Sequence, residues 1–312
     1  MMRYHTLRHR PKQFQSFTGL TVEEFDRLVA LIHDDWVRLH TERLNQRNPQ
    51  RKRKIGAGRK YALPSLDDQL LLVLVWSRLY LVYFVLEHLF GVDESTVSRT
   101  IVRTLPLLQD RFILPERLPK KKIRTLEELR EFLPPDIDLD DILVDGTEQA
   151  IPRPEKKRRR TTHHSGKKKR FTIKTQIATS RKGIILHVSR PVPGRMHDYK
   201  LFKQSILSKI VPKGSRLYGD SGYQGIRKDF PELQSVIPYK RTKKHKELTR
   251  GEKLHNTKQR RIRVKIEHAL SRLKKYTVLA TLYRHSLRNY DTTFRFVANV
   301  VNFRMIQRMQ AA

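Results

Sequence analysis

Apolar residues recur at helical spacing through residues 14 to 46 (Phe25, Leu28, Leu31, Ile32, then Val37 and Leu39), and Thr21 with Glu24 has the spacing of a capping box. Three further helices are predicted at 66 to 80, 82 to 90 and 94 to 105, the last two parted by Gly91-Val92-Asp93. After residue 140 the period changes. Ile142 to Val144 is an apolar strand ending in Asp145, residues 170 to 180 alternate through Phe171, Ile173, Thr175 and Ile177, and residues 184 to 190 follow Lys182-Gly183. Two strands joined by so short a glycine-containing turn form an antiparallel hairpin. A helix from His197 to about Lys209 comes next, then a strand at Arg216 to Tyr218 running into GDSGYQG. An apolar SVIP segment at 235 to 238 and a long helix over roughly 258 to 276 complete this half.

A short, glycine-containing bend with Asp93 as N-cap lets two helices cross steeply, which makes residues 82 to 105 a candidate helix-turn-helix. Val97, Ile101 and Leu105 repeat every four residues and face inward, leaving Thr96, Ser98, Arg99, Arg103 and Thr104 free. Hydroxyls and guanidiniums read base edges and phosphates. A plain three-helix packing unit with a polar outer face has the same pattern. In the second half, three strands, a helix, a strand and a later helix is the order of a ribonuclease H-like α/β fold, a mixed sheet with flanking helices. Pro106, Pro115, Pro119, Pro134 and Pro135 crowd residues 106 to 140 around one short helix capped by Thr125 and Glu128, which marks the main boundary. The expected organisation is an N-terminal helical segment with a basic linker (1 to 61), an all-α helix-turn-helix domain (62 to 110), a linker (111 to 139) and the ribonuclease H-like domain (140 to 312).

Charge narrows the partners. Among 312 residues, 66 Lys and Arg against 31 Asp and Glu leave +35, which disfavours an ordinary metabolic enzyme and points to a polyanion. With 38% hydrophobic residues the chain builds real cores, which excludes a wholly disordered basic tail. Without cysteine there are no disulfides, zinc fingers, iron–sulfur clusters or thiol nucleophiles, so any metal is held by oxygen or imidazole. The run at 47 to 61, with Arg53, Arg59 and Lys60, suits a linker lying along phosphates, or a solvated loop. One stretch imitates a membrane span: residues 70 to 90 are mostly apolar. Arg78 near its middle costs about 2.5 to 3.5 kcal/mol in a bilayer, and two abutting buried helices explain the composition without that cost. No membrane partner is expected. The basic N-terminus has no apolar segment behind its charges, so it does not read as a secretory signal, and the expected location is the cytoplasm, at the nucleoid in a bacterium.

Against so many basic residues, acids at strand ends draw notice. Asp145 ends the first predicted strand and Asp220 the fourth, where Gly222 lets the chain turn sharply beside the acid. Glu267 sits on the last helix, about 115° from the middle of the apolar stripe of Ile262, Ile266, Ala269, Leu270 and Leu273. There it overlooks a cleft, or forms an i,i+4 salt bridge with Arg263 on a solvated face. Three such oxygen ligands suit magnesium or manganese, and a pair of ions about 3.5 to 4 Å apart serves phosphodiester displacement. Surrounding Lys and Arg must offset the carboxylates if phosphate is to approach.

ILVDGTEQ, HSGKKKRFTIKTQI, GRMHDYKLF, RLYGDSGYQG and IEHALSRLKKY follow one another as in bacterial insertion-sequence transposases of the DDE superfamily endonuclease type. The segment from LPSLDDQ to STVSRTI resembles the helix-turn-helix preceding their nuclease, and the resemblance spans roughly residues 58 to 304. It implies a ribonuclease H-like nuclease in which Asp145, Asp220 and Glu267 hold two divalent ions. The resemblance further implies that water would cut at the element ends and that a freed 3′-hydroxyl would then attack target DNA. The implied partners are double-stranded terminal repeats and target DNA, bound by a homo-oligomer.

Several residues keep two readings. Asp198, in the family's G-x-x-H-D stretch, is a rival acid near the metals or the cap of the helix that begins there. His163 and His164 are phosphate contacts or without role rather than metal ligands, and Glu148 has a local structural role. Lys156 to Arg160 and Lys167, Lys168, Lys169 and Arg170 flank the hairpin as DNA-facing loops, and Lys274 adds to them. Two other functions fit parts of the sequence. A domesticated, catalytically inactive DNA-binding protein would keep the helix-turn-helix, although all three acids are intact. An RNA-binding structural protein would explain the charge but not the strand-end acids, and the usual aromatic cluster for base stacking is missing.

Overall fold

The structure, a computed structural model, describes residues 1–47, 61–109, 111–113, 139–242 and 246–311. Arg53, Arg59 and Lys60 of the basic linker, and the short helix expected at Thr125 and Glu128, lie outside the described residues. The chain forms two compact units that do not follow sequence order. The first is Met1–Gln109 with Lys275–Leu279 and Thr292–Ala312; the second is Asp110–Lys274 with Ala280–Asp291.

In the first unit, helices α1 (Tyr4–Leu7), α2 (Pro11–Thr18), α3 (Val22–Arg47), α4 (Leu66–Leu79), α5 (Tyr83–Phe90) and α6 (Glu94–Thr104) follow one another. α3 starts at the expected capping box: Glu24 N–H donates to the Thr21 hydroxyl at 3.1 Å, and Thr21 N–H to the Glu24 carboxylate at 2.8 Å. Phe25, Leu28 and Ile32 are buried, whereas Val37, expected on the same stripe, is exposed. α4 is apolar all round because it is the central helix, buried without interruption from Leu70 to Ser77 and packed on α2, α3 and α6. It stops at Tyr80, whose φ of 54° is left-handed, and α5 starts at Tyr83. The apolar run at 70 to 90 is therefore two helices, and among the described residues no helix is long and apolar enough to cross a membrane. Arg78 instead donates to the Lys275 carbonyl at 2.7 Å and lies over the Tyr276 ring.

Among its described residues the second unit holds seven strands: β1 (Asp141–Ala150), β2 (His164–Ser165), β3 (Arg170–Ser180), β4 (Ile185–Val188), β5 (Val192–Pro193), β6 (Arg216–Tyr218) and β7 (Gln234–Val236). Their order is β2-β3-β1-β6-β7, with β4 and β5 also on β3. β1 is antiparallel to β3 and parallel to β6, so the sheet is mixed. The β3–β4 hairpin forms as expected, with Gly183 left-handed at φ 84°. The helices here are α7 (Lys157–His163), α8 (Asp198–Gln204), α9 (Leu207–Ile210), α10 (Ile226–Asp229) and α11 (Arg250–Lys274); α12 (Thr277–Ala280) and α13 (Tyr290–Gln310) follow.

Three boundaries differ from expectation. β1 does not end at Asp145: β3 pairs with it continuously from Ile142↔Ser180 to Ala150↔Thr172, and this ladder extends the polar half. The helix expected from His197 to Lys209 breaks where Ser205 turns extended (ψ 156°). α11 begins at Arg250 rather than 258 because Thr249 and Glu252 make a second capping box, with bonds of 3.2 and 2.8 Å.

Candidate active site and nucleic-acid interface

β6 pairs with β1 over only three residues, ending at Leu143↔Tyr218. Asp145 and Asp220 each stand two residues beyond that last pair, in the notch where β6 leaves β1. Both line a cavity of about 320 Å³, together with Glu148, Lys174, Asp198 and Lys274. Asp220 Oδ1 accepts the Gly222 N–H at 2.8 Å, and a Cβ on Gly222 would come within 2.9 Å of that oxygen, so any larger residue there would push the carboxylate aside. Asp145 Oδ1 accepts the Gly146 N–H at 2.8 Å, and its Oδ2 faces Arg263 Nη2 at 3.1 Å. Burial nonetheless pushes the Asp145 carboxyl up to about 6, against the Arg263 charge and the Gly146 N–H, and repulsion from Asp220 and Asp198 adds to the rise. Beneath lies buried Tyr223, whose hydroxyl accepts a 2.6 Å bond from Gln176. Burial and the same three carboxylates raise its ionisation well above the ordinary value.

Asp198 is not the cap of α8. His197 takes that role, its Nδ1 accepting the Tyr199 N–H at 3.3 Å, and Asp198 meets the Lys174 ammonium at 2.9 Å. Glu148 accepts the Thr172 hydroxyl at 2.8 Å and stands 3.5 Å from Lys174.

Glu267 is exposed and does not line the cavity, and Arg263 turns to Asp145 rather than to it. Its backbone position still belongs to the site-facing stripe of α11. At 100° per residue it lies about 40° from Arg263, about 60° from Leu270 and about 20° from Lys274. The first of these touches Asp145 and the other two line the cavity. Among the described residues no three His, Asp or Glu side chains stand together as a closed metal cage. The donor chemistry fits a hard divalent cation all the same: Asp145 and Asp220 are oxygen donors in one notch whose mutual repulsion a cation relieves.

Cations line the cavity as well: Lys167, Lys168, Arg195 and Lys274. Lys167, Lys168, Lys169 and Arg170 are exposed, and Lys169 is left-handed at φ 52°. His163 Nδ1 bonds the Arg159 carbonyl at 2.9 Å. In the first unit, α6 presents Arg99 and Arg103 to solvent and half-buried Thr96. Arg99 folds back to the Ser95 hydroxyl at 2.9 Å and the Thr96 hydroxyl at 3.3 Å. Ser98 bonds the Tyr83 hydroxyl. Thr104, expected free, is buried at 1% exposure because it falls on the inner side with Val97 and Ile101. Asp93 holds the N-cap position without a side-chain bond; the Glu87 carboxylate takes the Glu94 N–H instead, at 2.9 Å.

Sequence reasoning missed Lys174, Gln176 and Tyr223. In β3, Thr172, Lys174 and Gln176 alternate with the apolar positions, which is the pattern of a solvent face, yet Lys174 and Gln176 are buried too.

A helix-turn-helix in one unit and, in the other, a mixed sheet with two aspartates at a cation-lined cavity define a DNA-binding protein of nuclease type. The model described as DDE superfamily endonuclease matches residues 144–302 and that of its helix-turn-helix matches residues 61–112, so the chain belongs to the DDE superfamily endonucleases and its sheet is ribonuclease H-like. Endonucleases of this superfamily use divalent metal ions. The chain is 27% identical to a Microchaete diplosiphon protein described as a transposase for insertion sequence element IS702, over 94% of this chain and 95% of that one. It is 26% identical to a Streptomyces albus G protein described as a transposase for insertion sequence element IS112, over 86% of each. No solved structure matches.

Proposed function

We propose that this chain is a transposase that cuts DNA at the ends of a mobile element and joins the freed ends to target DNA. Asp145, Asp220 and Glu267 would hold two divalent ions, magnesium or manganese. What carries the reading is the pairing of Asp145 with Asp220 in a notch rimmed by Lys167, Lys168, Arg195 and Lys274. Such ions, when bound, supply activation of the attacking oxygen and stabilisation of the leaving one. The chain's own residues do the rest. The four rim cations receive the phosphates flanking the scissile bond and offset the repulsion that bare carboxylates exert on DNA. Arg263 keeps the Asp145 carboxylate oriented, and the Gly222 N–H does so for Asp220. Water opens the phosphodiester, leaving a 3′-hydroxyl that attacks the target strand. α6 reads the terminal repeat through Thr96, Arg99 and Arg103, with Ser98 behind them.

The test is a nicking assay on labelled duplexes taken from the DNA flanking the coding region, beside a gel shift for each variant. Asp145→Asn, Asp220→Asn and Glu267→Gln should each lower cutting by about a hundredfold or more while duplex binding stays intact, and Asp198→Asn should be milder. Cutting that persists in excess chelator overturns the metal-dependent mechanism. Should Glu267→Gln cut at the wild-type rate while Asp198→Asn is dead, Asp198 replaces Glu267 as the third acid.

A further inference from the structure

Lys174 is a lysine in the middle of a β-strand with only 9% of its side chain exposed. Burying an ammonium is costly unless it is paired, and this one bonds a carbonyl and faces two carboxylates. Its Nζ donates to the Met196 carbonyl at 2.7 Å, stands 2.9 Å from Asp198 Oδ1 and 3.5 Å from Glu148 Oε1. Thus one side chain ties strand β3 to the 194–198 loop and the first residue of α8. The space beside the pair is cut to fit. A Cβ on Gly146, the residue next to Asp145, would come within 2.7 Å of Asp198 Oδ1. The Asp198 carboxylate therefore packs against the backbone that carries Asp145. Gln176, two residues along β3, completes the hold by donating to the Asp198 carbonyl at 3.2 Å and to Tyr223 at 2.6 Å.

We propose that Lys174 is a positioning residue of the nuclease site: its ion pair neutralises Asp198 and keeps it out of the metal-binding set, and its bond to Met196 fixes the loop that walls the cavity. The inference rests on the nuclease reading above. Asp198 then acts as Lys174's partner rather than as a ligand, which gives the acid of the G-x-x-H-D stretch a role distinct from Asp145 and Asp220.

The experiment titrates the full chain with Mn²⁺ alone, reading free Mn²⁺ by electron paramagnetic resonance, for wild type, Lys174→Gln, Asp198→Asn and the double variant. Gln at 174 retains a donor for the Met196 carbonyl but removes the charge. Lys174→Gln unmasks the Asp198 charge and should tighten Mn²⁺ binding by about tenfold, while cleavage falls. Asp198→Asn unmasks the Lys174 charge and should weaken binding by a similar factor. With both charges removed, the double variant should return to within about twofold of wild type, as a coupled pair requires. If Asp198 is itself a ligand, the double variant binds as poorly as Asp198→Asn and the proposal falls. It falls also if Lys174→Gln binds Mn²⁺ as the wild type does, since a lysine that only fills space leaves affinity unmoved. Thermal melts confirm that each variant is folded, and the double variant, in which Glu148 rather than Asp198 is the carboxylate left without Lys174, stands in if Lys174→Gln is not. A wild-type chain that binds no Mn²⁺ overturns the nuclease reading and this inference with it, whereas Mn²⁺ binding without the rescue overturns the inference alone.

Discussion

Asp145 is held at a cost to the fold. Its carboxyl, ordinarily near 3.8, is pushed up to about 6, chiefly by burial. The folded chain therefore binds the proton more tightly than the unfolded chain, and stability falls as pH rises between about 4 and about 6. Above that window the charged form costs about 3 kcal/mol in metal-free protein. Asp145→Asn should thus melt several degrees higher than wild type in chelator at pH 7.5, with the difference vanishing below about pH 4. Divalent ions should raise the melting temperature of wild type and leave the variant unchanged. A variant that melts lower at pH 7.5 would show that the Arg263 ion pair outweighs burial. A second residue-scale test sits in the helix-turn-helix. Because Glu87 rather than Asp93 caps α6, Glu87→Ala should cost about 1 kcal/mol in chemical denaturation of the full chain and Asp93→Ala clearly less.

Among the elements, what was legible followed from period and caps. The stripe of Val97, Ile101 and Leu105, the Thr21–Glu24 box and the β3–β4 hairpin are local patterns, and the structure repeats them. The placement of Asp145 and Asp220 was readable because each follows an apolar run. β1's second half was not: GTEQ has no strand signature, and only the β3 ladder makes it one. The start of α11 was hidden because Gly251 and a run of cations dilute the helical signal, although the Thr249–Glu252 box stood in the sequence. Lys174 was invisible for a physical reason: a charge alternating with apolar residues reads as a solvent face, and only the fold brings Asp198 and Met196 over it. Thr249→Ala should cost about 0.5 to 2 kcal/mol and loosen the first turns of α11, seen as faster amide exchange there, while the turns carrying Arg263 and Glu267 keep their protection.

For the molecule as a whole, +35 sets how it meets DNA. Each phosphate contact contributes about −0.9 to the slope of log affinity against log salt, so binding should weaken steeply with salt. Replacing Lys167 and Lys168 together by Ala should flatten that slope by about 1.8 and weaken all duplexes alike. Arg99→Ala should instead relax sequence preference by about 1 to 3 kcal/mol at one base pair. Fluorescence anisotropy across a salt series separates the two. An unchanged slope for the lysine pair would take the 167 to 170 loop off the DNA.

The first unit is not finished when its helix-turn-helix has been made. Asn299 donates to the Gln109 carbonyl at 3.0 Å, Arg27 to Gln307 at 2.6 Å, and Arg304 pairs with Glu24 at 3.4 Å, so residues far downstream close the unit begun at residue 1. Synthesis runs from the N-terminus at about 5 to 20 residues per second, and the whole second unit is translated before that closure happens. A ribosome stalled, or a nonsense codon placed, anywhere before residue 290 leaves those contacts unmade and the helix-turn-helix unit open. An interrupted chain therefore lacks the last helix of its own first unit, and that unit should melt at a lower temperature than it does in the full-length chain.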